Sequence, residues 1–182
     1  MSRIVAVLLF ILFSPIYVFT SILIFLDSGF PILIKQKRSG INNVPFNMFK
    51  FRTMGKNAPD VASKNLSNPK ELITRTGHFL RKFSIDETPQ LYNIIKGDMN
   101  FIGPRPVILN EKNLLELRTK EGVHKYKPGV TGYAQINGRD LIDDETKVKF
   151  DKYYFENKSL LLKVKIICST ILKTFLQKDV SH

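Results

Sequence analysis

IVAVLLFILFSPIYVFTSILIFL, residues 4–26, is the stretch that decides the fold, because it contains no charged residue. A helix rises about 1.5 Å per residue, so a run of this length can cross a bilayer core about 30 Å thick. Ser14-Pro15 lies midway along it, and a proline removes a backbone donor and clashes with the preceding turn. The stretch therefore predicts a membrane helix that is broken at Ser14 and Pro15.

The break leaves two topologies open. The helix can span the bilayer with a kink, or it can enter one leaflet and return to the same face. Basic residues flank the run on both sides, with Arg3 before it and Lys35, Lys37 and Arg38 after it. By the positive-inside rule, this pattern predicts that the part of the chain after the run lies in the cytoplasm.

The charge balance is strongly basic, with 28 Lys and Arg against 16 Asp and Glu and a net charge of +12. Such a balance indicates polyanionic partners, namely nucleic acid, anionic lipid or phosphorylated substrates. The sequence carries no nucleic-acid-binding motif, so we expect no nucleic-acid partner. The single cysteine, Cys168, excludes an internal disulfide framework and indicates a reducing compartment.

A second stretch, SIDETPQL at residues 84–91, places the carboxylates Asp86 and Glu87 at the start of a predicted helix. Two interpretations are open. Ser84 and Glu87 have the spacing of a capping box, in which the acids would only stabilise the helix. In the other interpretation Mg²⁺ is held by Glu87, with Asp86 beside it, and the ionised Asp86 faces a phosphorus atom.

Arginines in turn-like or capped positions could supply the matching cations. They are Arg52, Arg75, Arg81, Arg105 and Arg139. A guanidinium group binds phosphate oxygens bidentately and keeps its charge. Arg105 stands between two prolines, which restrict its backbone and suit a pre-aligned phosphate contact. The acid pair and the arginines together predict an enzyme that acts on phosphorylated substrates.

The remaining pattern predicts a mainly helical α+β protein with a short β-hairpin and amphipathic interfacial helices. The hairpin strands are predicted at residues 32–36 and 46–52, and a further short strand at 133–137. Helices are predicted at 77–83, 89–95, 107–122, 143–157 and 160–177. The last helix has apolar residues along one side and interspersed lysines, a pattern that suits either core packing or a membrane interface.

Ordered sequence blocks give the chain a recognisable family pattern. It resembles the small monotopic phosphoglycosyl transferases, bacterial sugar transferases that initiate glycoconjugate assembly on polyprenyl phosphate. The blocks are Ser14-Pro15, Lys37-Arg38-x-Gly40, residues 49–54 (FKFRTM), 76–81 (TGHFLR), 84–91 (SIDETPQL), 96–99 (KGDM), 103–106 (GPRP), 127–132 (KPGVTG), 135–139 (QINGR) and 151–154 (DKYY).

The resemblance implies a covalent mechanism. The aspartate that matches Asp86 attacks the β-phosphorus of a UDP-sugar, expels UMP and holds a phosphosugar. Polyprenyl (undecaprenyl) phosphate then accepts the sugar-1-phosphate. The resemblance ties Glu87 to Mg²⁺, places Arg81 and Arg105 near the phosphates and Arg139 in the nucleotide region.

The same resemblance implies a re-entrant anchor with its break at Ser14 and Pro15. We therefore predict a membrane anchor at residues 1–31 and a catalytic domain at 32–182, on the cytoplasmic face of the inner membrane. Expected partners are a UDP-sugar, polyprenyl phosphate, the lipid bilayer and downstream glycosyltransferases. Lys163 departs from the family pattern, which often has an acidic residue in that region.

Two alternatives remain at this point. A basic, membrane-tethered binding protein without catalysis would share the anchor and the charge. A hydrolase of UDP-sugars would share the acid pair, with water in place of the lipid phosphate. The sequence leaves the transferred sugar, the glycoconjugate pathway and the oligomeric state open.

Overall fold

The computed structural model describes residues 2–56, 58, 71–138 and 141–176. The chain forms two compact units. The first comprises Met1–Gln36 and Asn47–Lys96, and the second comprises Lys37–Phe46 and Gly97–Ser181. The architecture is mainly helical with small two-stranded sheets, as the sequence predicts. The division into an anchor at residues 1–31 and a catalytic domain at 32–182 stays a prediction.

The N-terminal apolar run folds as two helices. α1 spans Ser2–Leu12 and α2 spans Ser14–Ser28, with a proline in the first turn of α2. The two are bent by 57° relative to each other, which confirms the predicted break. In the described part of the chain no single helix is long and apolar enough to cross a membrane, whereas this bent pair passes the same test together.

The bent pair packs in the first unit through one face and exposes apolar side chains on the other. The buried side chains include Ala6, Thr20 and Ile24. Ile24 shares a core cluster with Phe51 and Leu80. The exposed side chains include Ile4, Leu8, Ile11, Leu12, Val18, Phe19 and Leu26. A helical surface this apolar is typical of contact with lipid or with another protein.

The predicted hairpin is present. β1 spans Leu33–Ser39, β2 spans Pro45–Phe51, and the two strands pair. The connecting turn needs positive φ angles, which Asn42 and Asn43 supply at 53° and 59°. Asparagine tolerates this region better than other non-glycine residues, so the Asn-Asn pair favours the turn.

Two further helices of the first unit flank the acid pair. α3 spans Arg75–Lys82 and α4 spans Gln90–Lys96, and both correspond to predicted helices. Asn93 is completely buried on α4. Its side chain accepts from the backbone N–H of Phe49 and donates to the carbonyl of Asn47, so α4 is bonded to β2.

The second unit contains a parallel pair of short strands. β3 spans Asn100–Ile102 and β4 spans Gly129–Thr131, with Asn100 opposite Gly129. A Cβ on Gly129 would lie 2.1 Å from the amide nitrogen of Gly103, so glycine is required for this close backbone approach.

The strand predicted at 133–137 is wrong. Residues Tyr133–Ile136 form the short helix α6, and the strand lies just before it, at β4. Tyr133 and Ile136 are three residues apart, which in a helix brings both to one face. Ile136 belongs to a core cluster with Tyr154 and Ile166, and the partly buried Tyr133 packs against this cluster. This packing overrides their preference for a strand.

The remaining helices of the second unit are α5 (Lys112–Lys120), α7 (Asp144–Glu156) and α8 (Leu160–Leu176). α5 is shorter than the predicted helix at 107–122. α8 buries Ile166 but leaves Leu160, Leu161, Val164, Ile167, Ile171 and Leu172 exposed. Core packing alone therefore does not account for its apolar side.

Candidate active site

Asp86 is positioned by a tightly packed corner between β2 and α3. Thr74 caps α3, since its side chain accepts from the N–H of Gly77. A Cβ on Gly77 would lie 2.1 Å from the carbonyl oxygen of Thr53, so α3 comes into direct backbone contact with the residues after β2. Arg81, near the end of α3, donates from Nε to Thr53 Oγ1 at 2.9 Å.

The acid pair lies in a 3₁₀ turn, Ile85–Glu87, between α3 and α4. Ser84 enters the turn in the left-handed conformation, with φ 54°, and makes no side-chain capping bond. The capping-box interpretation is therefore wrong, because that motif needs the serine in an extended conformation with its oxygen on the helix N–H groups. A non-glycine residue at positive φ costs of order 1 kcal/mol, and such residues cluster at functional sites.

Asp86 is buried, with 8% of the residue exposed. Burial raises the pKa of Asp86 to about 6, and the neighbouring Glu87 carboxylate adds to this effect. The positive charges of Lys50 and Arg81 oppose it. The carboxylate is thus ionised at neutral pH yet more basic than an ordinary aspartate, which is the state that a carboxylate nucleophile needs.

Glu87 forms an ion pair with Lys50, whose Nζ lies 2.8 Å from Glu87 Oε1. Both side chains are partly exposed, at 17% for Lys50 and 22% for Glu87. Lys50 comes from β2 and was not among the predicted site residues. The block FKFRTM contains it, but nothing in the local spacing indicates that it meets a residue 37 positions further on.

Arg81 is one of the predicted arginines, and the structure brings it to the acid pair. Burial lowers the pKa of its guanidinium group, and the charges of Asp86 and Glu87 raise it. Since the guanidinium stays charged over the physiological range, it supplies a fixed positive charge at this site.

Arg52 lies at the end of α2. Its Nη2 donates to the carbonyls of Ser28 and Gly29 at 2.8 and 2.6 Å, and to Ser28 Oγ at 2.7 Å. A cation at a helix C-terminus satisfies free carbonyls and complements the helix dipole. Arg52 therefore caps α2, a role that the sequence did not indicate, and its predicted contact with phosphate stays a prediction.

The remaining predicted site residues are Arg105, Ser14, Pro15 and Arg139. Arg105 belongs to the second unit and is half-buried in the turn that follows β3. Ser14 and Pro15 form the first turn of α2. Arg139 lies outside the described residues.

A model of the family described as bacterial sugar transferase matches residues 1–177 of this chain. The chain belongs to this bacterial sugar transferase family. It is 41% identical to the uncharacterized sugar transferase EpsL of Bacillus subtilis, with 93% of this chain and 82% of EpsL covered.

Two further relatives carry names that specify a reaction. The chain is 37% identical to an undecaprenyl-phosphate glucose phosphotransferase of Komagataeibacter xylinus, over 96% of this chain and 35% of the relative. It is 36% identical to a UDP-N-acetylgalactosamine-undecaprenyl-phosphate N-acetylgalactosaminephosphotransferase of Aeromonas hydrophila, over 94% of this chain and 42% of the relative. The chain thus spans less than half the length of these two proteins.

The family membership confirms the predicted resemblance and the prediction of an enzyme, a sugar-1-phosphate transferase.

Whether this sugar transferase binds Mg²⁺ depends on its oxygen ligands. Within the described ranges, no three His, Cys, Asp or Glu side chains gather to hold a metal alone. Mg²⁺ typically uses one or two carboxylates together with waters and substrate phosphates, so Asp86 and Glu87 fit this ion.

Proposed function

We propose that this sugar transferase moves a sugar-1-phosphate from a UDP-sugar to undecaprenyl phosphate through a covalent intermediate on Asp86. The observation that carries the proposal is the buried carboxylate of Asp86 beside Lys50, Arg81 and Glu87. The names of both relatives specify undecaprenyl phosphate, and that of the Aeromonas hydrophila relative also specifies a UDP-sugar, which supports the same pair of substrates.

In the first step an oxygen of Asp86 attacks the β-phosphorus of the UDP-sugar. A bond forms between this oxygen and the phosphorus, and the bond to the bridging oxygen breaks, so that UMP leaves with the electron pair. In the second step a phosphate oxygen of the lipid attacks the same phosphorus. The bond to Asp86 breaks, and the carboxylate is regenerated with the polyprenyl diphosphosugar as product.

The side chains around Asp86 suit this chemistry. The elevated pKa of Asp86 makes its carboxylate a better nucleophile than an exposed one. Arg81 and Lys50 provide positive charge where the phosphates gain negative charge in the transition state. Glu87, together with Asp86, would hold Mg²⁺, and the ion would supply further neutralisation of the diphosphate.

We infer that the protein sits on the cytoplasmic face of the inner membrane, with the bent pair α1–α2 re-entering one leaflet. The exposed apolar side chains of α1, α2 and α8 support contact with lipid. Because the acceptor is a lipid phosphate, the reacting groups must lie near headgroup height. Downstream glycosyltransferases would then use the membrane-bound product.

Exchange of the nucleophile tests the proposed function. In Asp86→Asn we expect UMP release from UDP-sugars to fall at least about a thousandfold, because an amide cannot form the acyl phosphate. The assay is a UMP-release screen over UDP-sugars with Mg²⁺ and undecaprenyl phosphate. Glu116→Gln, at an exposed position on α5, is the matched acid-to-amide control and should keep wild-type activity.

The product separates transfer from hydrolysis. A transferase forms lipid diphosphosugar and depends on the lipid phosphate for steady turnover. Steady release of free sugar-1-phosphate without the lipid would support the hydrolase instead, and wild-type UMP release by Asp86→Asn would refute the mechanism.

A further inference from the structure

The second unit contains a buried ion pair that the proposed chemistry does not use. Arg118 on α5 donates from Nη2 to Asp151 Oδ2 on α7 at 2.8 Å, and both side chains are more than nine-tenths buried. Removing two charges from water is costly, and apolar residues of similar volume often stabilise a core as well. The ion pair therefore calls for an explanation other than stability.

The other arm of Arg118 provides one. Its Nη1 donates to the backbone carbonyl of Arg105 at 2.8 Å. The guanidinium thus bridges a buried carboxylate and the main chain of the residue predicted to meet the substrate phosphates. Its planar, rigid fork holds both acceptors at once, which a single nitrogen on a flexible chain does poorly.

The turn around Arg105 is fixed at neighbouring carbonyls too. The N–H of Gly129 donates to the carbonyl of Pro104, and the N–H of Ser39 donates to the carbonyl of Val107, each at 2.9 Å. These two donors are backbone amides, whereas the donor to Arg105 is the side chain of Arg118. The hydrogen bond to the Arg105 carbonyl can therefore be removed by substituting Arg118, whereas the two backbone hydrogen bonds remain.

We propose that Arg118, held by Asp151, is a positioning residue that fixes the backbone of Arg105 and so aligns its side chain for the substrate phosphates. This inference rests on the proposed function and on the sequence-based prediction that Arg105 contacts those phosphates. Alignment of a charged group before the reaction lowers the barrier, because no reorganisation is needed in the transition state.

The main test variant is the double substitution Arg118→Met with Asp151→Leu. It replaces the ion pair by apolar side chains, so no charge is left buried and unpaired, but it removes the donor to Arg105. Arg118→Lys is a second variant for the case in which the double variant does not fold. It keeps a positive charge for Asp151 but has a single donor nitrogen, whereas Arg118 uses Nη1 for the Arg105 carbonyl and Nη2 for Asp151.

The control is Lys152→Met. Lys152 on α7 forms an ion pair with Glu121, the residue at the end of α5, at 2.8 Å. It thus links the same two helices through an ion pair at the surface, and its bond goes to Glu121 rather than to the Arg105 carbonyl. This control should leave both activity and backbone exchange unchanged.

Two measurements on the full-length enzyme are needed. Hydrogen–deuterium exchange of the peptide covering residues 103–110 should be faster in the test variant. Its kcat for UDP-sugar should fall about tenfold or more, while KM changes less than about threefold, since Arg105 keeps its charge but loses its alignment. In an Arg105→Met background the same substitutions should have no further effect on kcat.

A purely structural role would give a different pattern. Wild-type kcat with unchanged exchange at residues 103–110 in the test variant would overturn the inference. A further fall in kcat when the same substitutions are added to Arg105→Met would overturn it too, because the two effects would then be independent. If Arg105→Met keeps wild-type kcat while the test variant still exchanges faster, the phosphate contact predicted for Arg105 is wrong and the inference fails. The proposed function is tested separately, by Asp86→Asn.

Discussion

At the residue scale, Asp86 combines two demands that oppose each other. Burial raises its pKa, whereas attack on phosphorus needs the ionised form. The positive charges of Lys50 and Arg81 lower the pKa of Asp86 and so favour its ionised form. The sequence indicated Asp86, Glu87 and Arg81 through motif blocks, but not Lys50, because its ion pair joins residues 37 positions apart.

Loss of the Lys50 charge should therefore move the pH profile. Lys50 lowers the pKa of Asp86, so in Lys50→Met this pKa rises and the acidic limb of kcat/KM shifts to higher pH. Below the limb, activity falls about tenfold per pH unit as the nucleophile is protonated. The measurement is kcat/KM from pH 5 to pH 8 at constant Mg²⁺.

Lys82→Met serves as the control for this profile. It removes a positive charge from the end of α3, which is not among the charges that shift Asp86. Its acidic limb should coincide with that of the wild type. A limb that stays in place or moves to lower pH in Lys50→Met would contradict the assignment.

At the element scale, most helices could be predicted because their signals are local. Pro15 marks the break before α2, and Asp143 caps α7 by accepting from the N–H of Thr146. The parallel pair β3–β4 could not be predicted, since its strands are short and far apart in the sequence. α6 was missed because four residues carry too little pattern to separate a helix from a strand.

The close approach of α3 to Thr53 gives a prediction at the same scale. In Gly77→Ala the new Cβ would meet backbone atoms of Thr53, which cannot rotate away, so α3 must shift. We expect a loss of about 1–3 kcal/mol in the free energy of unfolding, or a melting temperature lower by about 3–10 °C. Thermal unfolding in detergent measures it.

Gly55→Ala is the matched control in the same unit. Its Cβ would lie 4.0 Å from the carbonyl of Leu72, which is an ordinary contact. The melting temperature of this variant should therefore stay close to that of the wild type. Equal melting temperatures for Gly55→Ala and Gly77→Ala would show that the contact at Thr53 is not tight.

At the scale of the whole molecule, the apolar run predicts membrane association, and the acid pair with the arginines predicts an enzyme with phosphorylated substrates. The family membership confirms a sugar transferase. The 57° bend between α1 and α2 agrees with both a kinked span and a re-entrant hairpin. The topology therefore needs a measurement in the membrane, because the bend angle alone fits either arrangement.

A re-entrant anchor predicts that both ends of the bent pair lie on one side. With Cys168→Ser as background, Ser2→Cys and Val44→Cys should both resist a membrane-impermeant maleimide in intact cells. Both should react once the cells are permeabilised. Labelling of Ser2→Cys alone in intact cells would instead support a spanning helix.

The central claim is the covalent intermediate on Asp86, and its most direct test is a rapid acid quench followed by peptide mass analysis. Wild-type enzyme is mixed with Mg²⁺ and the UDP-sugar that supports turnover, without lipid phosphate. We predict that the peptide containing Asp86 gains the mass of a sugar phosphate, together with one equivalent of UMP, and loses it when undecaprenyl phosphate is added. Formation of the lipid product while this peptide never carries the added mass would contradict the account.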